Sequence, residues 1–262
     1  MINPMYAICG LIVLIKITIC NSLAELSSND LDALNDFYVA GGGDGWAWRN
    51  VTEYGAQWNF SAAYIDPRIP CSNISSIQWQ GLSCNYGCQS SDSCEVTAIQ
   101  LYSYNIVGTL SSSLGNLEAL TYLDFVDNSL TGTIPKIFHN LTVLEELLLS
   151  KNKLSGQFPD LSPCPRLTAL VISENSLTGT IPSNIFVSKM RFFYIGFNQF
   201  SGTLPEQWSL WNESLYVLSI SFNKLTGTLP TIIGIFSQMN TLNVQSNMMH
   251  GAIPSEIGSM AK

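Results

Sequence analysis

Charged residues are scarce in this chain of 262 residues. They make up 11% of it, with eleven Lys and Arg against nineteen Asp and Glu, and the formal net charge is −8. A protein that binds nucleic acid or an anionic membrane through its overall charge needs an excess of cations. The negative net charge therefore excludes binding of either partner by overall charge. The hydrophobic content of 46% excludes a disordered chain. We therefore expect a folded protein whose partner is neutral or basic.

Histidine is scarcer still, and the usual signatures of catalysis are missing. His139 and His250 are the two histidines, and neither stands in a recognisable nucleophile and base pair or metal motif. The glycine-rich segment at residues 41–45 lacks the Lys-Ser/Thr of a phosphate-binding loop, so it indicates a turn. The sequence predicts a protein that is not an enzyme and that holds no cofactor or metal.

An apolar run at residues 6–20 is followed by small residues that end at Ala24. This pattern predicts a signal peptide over residues 1–24 and a secreted, extracellular protein. An uncleaved membrane anchor is the alternative, although the run is shorter than the ~20 residues that span a bilayer. Cleavage would remove Lys16 and no acid, changing the net charge from −8 to −9.

Sequons for N-linked glycosylation support the secretory route. Each has Ser or Thr at the second position after Asn, with no Pro between. The predicted glycosylation sites are Asn50, Asn59, Asn73, Asn140 and Asn212.

From residue 96 onward the sequence repeats a pattern, L-x-x-L-x-L-x-x-N-x-L-x-G-x-I-P, in seven copies. Its second apolar position recurs every 23 to 25 residues, which is the period of a leucine-rich repeat. The L-x-L segment predicts a short strand, and stacked copies predict a parallel sheet that buries the leucines of neighbouring coils. The Asn of the pattern should bind backbone groups that the turning chain leaves unpaired. These residues are Asn128, Asn152, Asn175, Asn198, Asn223 and Asn247.

The ending L-x-G-x-I-P, as at residues 130–135, resembles the plant-type leucine-rich-repeat family. The resemblance covers residues 96–262 and implies an α/β repeat fold: a right-handed solenoid with a concave parallel β-sheet and short helical turns outside. It also implies non-catalytic roles, as ectodomains of receptor-like kinases, as receptor-like proteins or as secreted inhibitors of cell-wall-degrading enzymes.

Residues 25–95 are expected to form an amino-terminal cap. Apolar spacing predicts a helix from about Asn29 to Ala40, capped at its start by Ser28 or Asn29 and ended by Gly41. Pro70-Cys71 followed by W-Q-G-L-S-C at residues 79–84 resembles the cap signature of the same family. In an oxidising compartment the resemblance implies a Cys71–Cys84 disulfide, with Cys88 and Cys94 as the second expected pair. A zinc site is the alternative.

Outward-pointing strand positions on the concave sheet are the candidate binding residues, because a stacked scaffold presents them as one surface. In repeats three to six several of these positions are apolar, and such a patch indicates an interaction site. A register slip of one residue, or lateral packing, would bury the patch instead. The predicted ligand-binding residues are Leu148, Val171, Phe192, Tyr194, Phe197, Val217 and Phe222.

The sequence thus predicts three parts: a leader over residues 1–24, a cap over 25–95 and repeats over 96–262, without a carboxy-terminal cap. At that end we expect self-association or a co-receptor, and the protein would be membrane-associated if it is part of a receptor. The predicted function is recognition of a protein, peptide or glycan. A secreted hydrolase inhibitor and a structural wall or matrix protein are the alternatives.

Overall fold

The computed structural model describes residues 25–259 except residues 67, 69, 73–77, 86–93 and 188. The predicted leader, Asn73 and Cys88 lie outside the described residues. Within the described part, the chain folds as a solenoid of stacked coils preceded by a helical cap, which confirms the predicted architecture.

One short strand from each coil joins the concave sheet. Neighbouring strands of the repeats are parallel, and a strand from the cap pairs antiparallel with the first of them. Leu123 pairs with Leu147 and Leu147 with Leu170, as the repeat spacing predicts. The described strands of this sheet are Leu82–Cys84, Val96–Gln100, Tyr122–Asp124, Glu146–Leu148, Ala169–Val171, Phe192–Tyr194, Val217–Ser219 and Thr241–Asn243.

The L-x-G-x segments form two smaller parallel sheets on the other side of the coils. One contains Val107–Thr109 and Ser129–Thr131; the other contains Ser155–Gln157, Ser176–Thr180, Gln199–Gly202 and Lys224–Leu225. Short 3₁₀ helices follow in most coils, at Ser112–Asn116, Lys136–Asn140, Ser183–Val187, Glu206–Trp211, Thr231–Ile235 and Ser255–Ser259. In the third coil, residues 158–168 contain turns at 162–163 and 165–166 and no 3₁₀ helix. The prolines at 163 and 165 each lack the N–H that a helix would use.

The core follows the inward positions of the repeat. Ile99, Leu123, Leu147, Leu170, Phe193 and Leu218 are fully buried at 0% exposure. Each contributes about 1.5–3 kcal/mol by burial, which no coil could achieve without its neighbours. Leu242, in the last coil, is only partly buried.

The predicted asparagine ladder is present. The Asn152 amide nitrogen donates to the carbonyl oxygens of Phe125 and Leu149 at 2.9 and 3.0 Å, while its oxygen accepts from the Leu130 N–H at 2.9 Å. Asn128, Asn175, Asn198, Asn223 and Asn247 repeat this arrangement. Each Asn therefore joins its own coil to the preceding one.

The cap begins with helix α1, Ser28–Ala40. The expectation that Ser28 or Asn29 caps its start is wrong: Ser27 is the N-cap, and its hydroxyl oxygen accepts from the Asp30 N–H at 3.1 Å. Gly41 ends the helix as expected. Two short helices follow, α2 at Val51–Tyr54 and α3 at Phe60–Ile65.

The cap attaches to the solenoid by a buried acid and by ring packing. The Asp30 carboxylate accepts from the Val96 N–H, at the start of the first repeat strand, at 2.7 Å. Phe37 stacks on Phe125 of the second coil with ring centroids 4.6 Å apart. These contacts cover the apolar end of the first coil, which would otherwise face water.

The predicted Cys71–Cys84 disulfide is confirmed. Cys94 is disulfide-bonded as well, while the expected partner Cys88 lies outside the described residues. Cys71 and Cys84 pack against the hydrophobic core. In the cap this core contains tryptophans, with Trp58 stacked on Trp79 at 5.4 Å.

Candidate ligand-binding surface

The predicted binding residues lie on the outward side of the concave strands or just beyond their ends. Leu148, Val171, Phe192 and Tyr194 are partly exposed. Phe197 and Phe222 are 49% and 40% exposed. One expectation was wrong: Val217 is only 6% exposed, because in the strand register it lies beside the larger Phe192 side chain.

The residue just before each ladder Asn has a left-handed backbone. Phe197 and Phe222 adopt φ of 54° and 53°, and Asp127, Lys151, Glu174 and Ser246 adopt 53° to 59°. Ser103, at the equivalent position before Tyr104 in the first coil, adopts 57°. This conformation costs non-glycine residues about 1–2 kcal/mol. Backbone hydrogen bonds between neighbouring coils hold this conformation in place: the Phe197 N–H donates to the Ser221 carbonyl at 2.9 Å. The sharp turn sets these side chains in a row along one edge of the sheet.

In this row, Phe197 and Phe222 stack face to face, with ring centroids 4.2 Å apart and planes 14° from parallel. The pair gains about 0.5–1.5 kcal/mol from stacking yet remains open to water. Rigid aromatic side chains that stay exposed are typical anchors for a binding partner.

The opposite edge of the sheet holds a second aromatic pair. Phe192 meets Tyr216 edge to face at 6.0 Å, and the Arg191 guanidinium lies 5.5 Å from the Phe192 ring centroid. Tyr216 is 42% exposed, and the sequence analysis did not select it. We call the set Phe192, Tyr194, Phe197, Tyr216 and Phe222 the aromatic patch.

A groove of about 360 Å³ adjoins this second pair. Lys189, Arg191, Glu213 and Tyr216 are among its lining residues. Lys189 and Arg191 precede the strand of the fifth coil, and Glu213 and Tyr216 precede the strand of the sixth. The groove therefore runs along the edge of the sheet and not across its centre. Its two cations flank the aromatic patch on that side.

Toward the amino-terminal coils the same face is acidic. Asp124 and Glu146 are partly exposed, and Asp127 is exposed. Burial raises the pKa of the Asp124 carboxyl, and the hydrogen bond from the Val126 N–H opposes this. Asp127 accepts a hydrogen bond from the Ser103 hydroxyl. The concave face thus changes from acidic to aromatic along the solenoid.

The described residues contain no group of three or more His, Cys, Asp or Glu side chains placed to hold a metal ion. Cys164 is fully buried, and burial raises the pKa of its thiol to about 11. A thiol with such a pKa is a poor nucleophile at neutral pH, so this residue packs as a small apolar side chain.

The sequons in the described part lie at the surface. Asn50, Asn59 and Asn140 are exposed and Asn212 is partly exposed. Asn50 and Asn59 use their side-chain oxygens to cap helices α2 and α3. A glycan attaches to the amide nitrogen, so these caps leave the modified atom available. Whether the sites carry glycans remains a prediction.

In the described part of the chain, no helix combines the length and apolar character needed to cross a bilayer.

Comparison with known proteins supports the interpretation of the repeats. The Leucine Rich Repeat family model matches residues 119–141, 166–187 and 214–236. No curated protein matches the sequence significantly.

Several solved structures resemble the chain. The PEPR1–AtPEP1 complex matches 89% of it with a TM-score of 0.70 and 27% identity, over 30% of that chain. The leucine-rich-repeat ectodomain of the receptor kinase GASSHO1/SCHENGEN3 from Arabidopsis thaliana, in complex with CASPARIAN STRIP INTEGRITY FACTOR 2, matches 88% with a TM-score of 0.71 and 25% identity, over 25% of that chain. The plant peptide hormone receptor RGFR1 in complex with RGF2 is 38% identical over 59% of this chain and 25% of its own, with a TM-score of 0.57.

This chain spans less than a third of each of these proteins. The repeat motif, the coil geometry and these likenesses agree: the chain has the leucine-rich-repeat fold and is similar to plant-type leucine-rich-repeat proteins.

Proposed function

We propose that the chain is an extracellular recognition module that binds a peptide or protein ligand on its concave face and has no catalytic activity. The observation that carries the proposal is the exposed aromatic patch, centred on the stacked pair Phe197 and Phe222. Exposed clusters of this kind mark interaction sites, since a folded protein otherwise gains by burying them.

Support for an extracellular location comes from the Cys71–Cys84 disulfide, which persists in oxidising compartments. Exposed sequons point the same way. Support for a peptide or protein ligand comes from the solved relatives, which are complexes of receptors with AtPEP1, CASPARIAN STRIP INTEGRITY FACTOR 2 and RGF2.

The test is selection of binders from a random peptide display library by the secreted, disulfide-bonded chain. Binders that use the concave face should lose at least tenfold in affinity when Phe197→Ala and Phe222→Ala are combined, since anchor residues contribute 1.4 kcal/mol or more. The matched control is Leu210→Ala: Leu210 is 64% exposed but lies on the 3₁₀ helix Glu206–Trp211, away from the concave sheet. Equal losses in both variants would place binding elsewhere.

A further inference from the structure

The charge on the concave face bears on the kind of peptide that it would bind, and this inference rests on the proposed function. In the outward rows of the second to fourth coils, the acids are Asp124, Asp127, Glu146 and Glu174. Lys151 is the single cation among the described residues of these rows. This part of the face therefore has an excess of negative charge.

Among the described residues, none of these acids forms an ion pair, with Lys151 or with any other cation. The ion pair found in the described part of the chain joins Arg68 to Asp66, in the cap. Asp124 and Asp127 accept hydrogen bonds from neutral donors only, the Val126 N–H and the Ser103 hydroxyl. A surface with an excess of negative charge attracts a basic partner.

The acids and the aromatic patch are separated along the solenoid axis. The acids centre on the second and third coils, and the stacked phenylalanines belong to the fifth and sixth. Three strand spacings of about 4.8 Å separate the two centres by about 14 Å. An extended peptide advances about 3.3 Å per residue, so about four residues cover this distance.

We propose that the concave face binds an extended peptide with a basic side chain over Asp124, Asp127 and Glu146 and an apolar side chain about four residues away, over Phe197 and Phe222. A neutral glycan would leave the acids without a counter-charge. An acidic peptide would meet electrostatic repulsion at the second and third coils.

The experiment uses the same display selection in 0.15 M NaCl, followed by affinity measurements on the selected peptides. Lys or Arg should be enriched about four positions from an aromatic or aliphatic residue. Combining Asp124→Asn, Asp127→Asn and Glu146→Gln should weaken binding about tenfold, as expected for three charge contacts that water reaches. The control combines Glu53→Gln, Glu206→Gln and Glu256→Gln, which remove the same charge at exposed positions outside the concave rows, and should change affinity less than threefold.

The dependence of peptide affinity on salt concentration tests the same proposal without a variant. Raising NaCl to 0.6 M should weaken binding to the unmodified chain several-fold, because salt screens exposed charge pairs. Peptides that need Phe197 and Phe222 but show no basic enrichment, and bind equally to the acid-neutralised variant, would overturn this inference and leave the proposed function standing. If no selected peptide depends on Phe197 and Phe222, both fail.

Discussion

Replacing Asn198 by Ala tests the asparagine ladder at a single buried amide. Its oxygen accepts from the Leu177 N–H at 2.9 Å, and its nitrogen donates to the carbonyl oxygens of Ile172, Ile195 and Gly196 at 2.9, 3.2 and 3.3 Å. The three carbonyls keep other donors, from Asn175, Asn223 and the Glu174 N–H. The Leu177 N–H is the group that loses its partner.

A buried donor left unpaired costs about 1–3 kcal/mol, and the weakened carbonyl contacts add to this, so we expect a total loss of about 2–4 kcal/mol. Urea unfolding monitored by circular dichroism measures the free energy of unfolding. The control is Asn116→Ala, an exposed Asn at the end of a 3₁₀ helix, which should change stability by less than about 0.5 kcal/mol. Equal effects of the two substitutions would refute the ladder as a source of stability.

Three further predictions concern the backbone, the disulfide and pH. Lys151→Gly should raise the free energy of unfolding by about 0.5–1 kcal/mol, because relief of the left-handed backbone (φ 56°) exceeds the added entropy of Gly; a loss in urea unfolding would contradict this. Replacing Cys71 and Cys84 together by Ser should lower the midpoint of thermal unfolding by opening a link across 13 residues, a loss of about 3 kcal/mol; an unchanged midpoint would count against it. Burial raises the pKa of the Asp30 carboxyl, so Asp30 binds a proton more tightly in the folded state than in the unfolded state. The free energy of unfolding that Asp30 contributes should therefore fall as pH rises from the unfolded pKa of about 3.9 through the higher folded pKa. In Asp30→Asn this fall should be absent when the free energy of unfolding is measured in urea from pH 3 to 7. An unchanged dependence of that free energy on pH would contradict the assignment of the fall to Asp30.

The features repeated in every coil could be predicted from the sequence. The period places Leu123, Leu147 and Leu170 in register, because only one alignment of the coils buries all the leucines. The role of the ladder Asn could also be predicted, because it recurs with the same period and a turning chain needs hydrogen-bond partners for its backbone groups.

Features that depend on neighbouring side chains or on local backbone geometry could not be predicted. The residue type at Phe197 does not indicate its left-handed backbone, because Ser, Asp, Lys, Glu and Phe all occupy the equivalent position in other coils. Backbone hydrogen bonds between coils hold the conformation instead. The burial of Val217 depends on the adjacent Phe192. Tyr216 lies just before its strand and meets Phe192 only through side-chain packing, so strand alternation gave no reason to select it.

The most direct test of ligand recognition by the aromatic patch is the affinity of one display-selected peptide for three forms of the secreted chain. These are the unmodified chain, the combined Phe197→Ala and Phe222→Ala variant, and Leu210→Ala. We expect at least a tenfold loss for the combined variant and less than a twofold change for Leu210→Ala, with circular dichroism spectra unchanged. Equal affinity for all three forms would contradict binding through the aromatic patch.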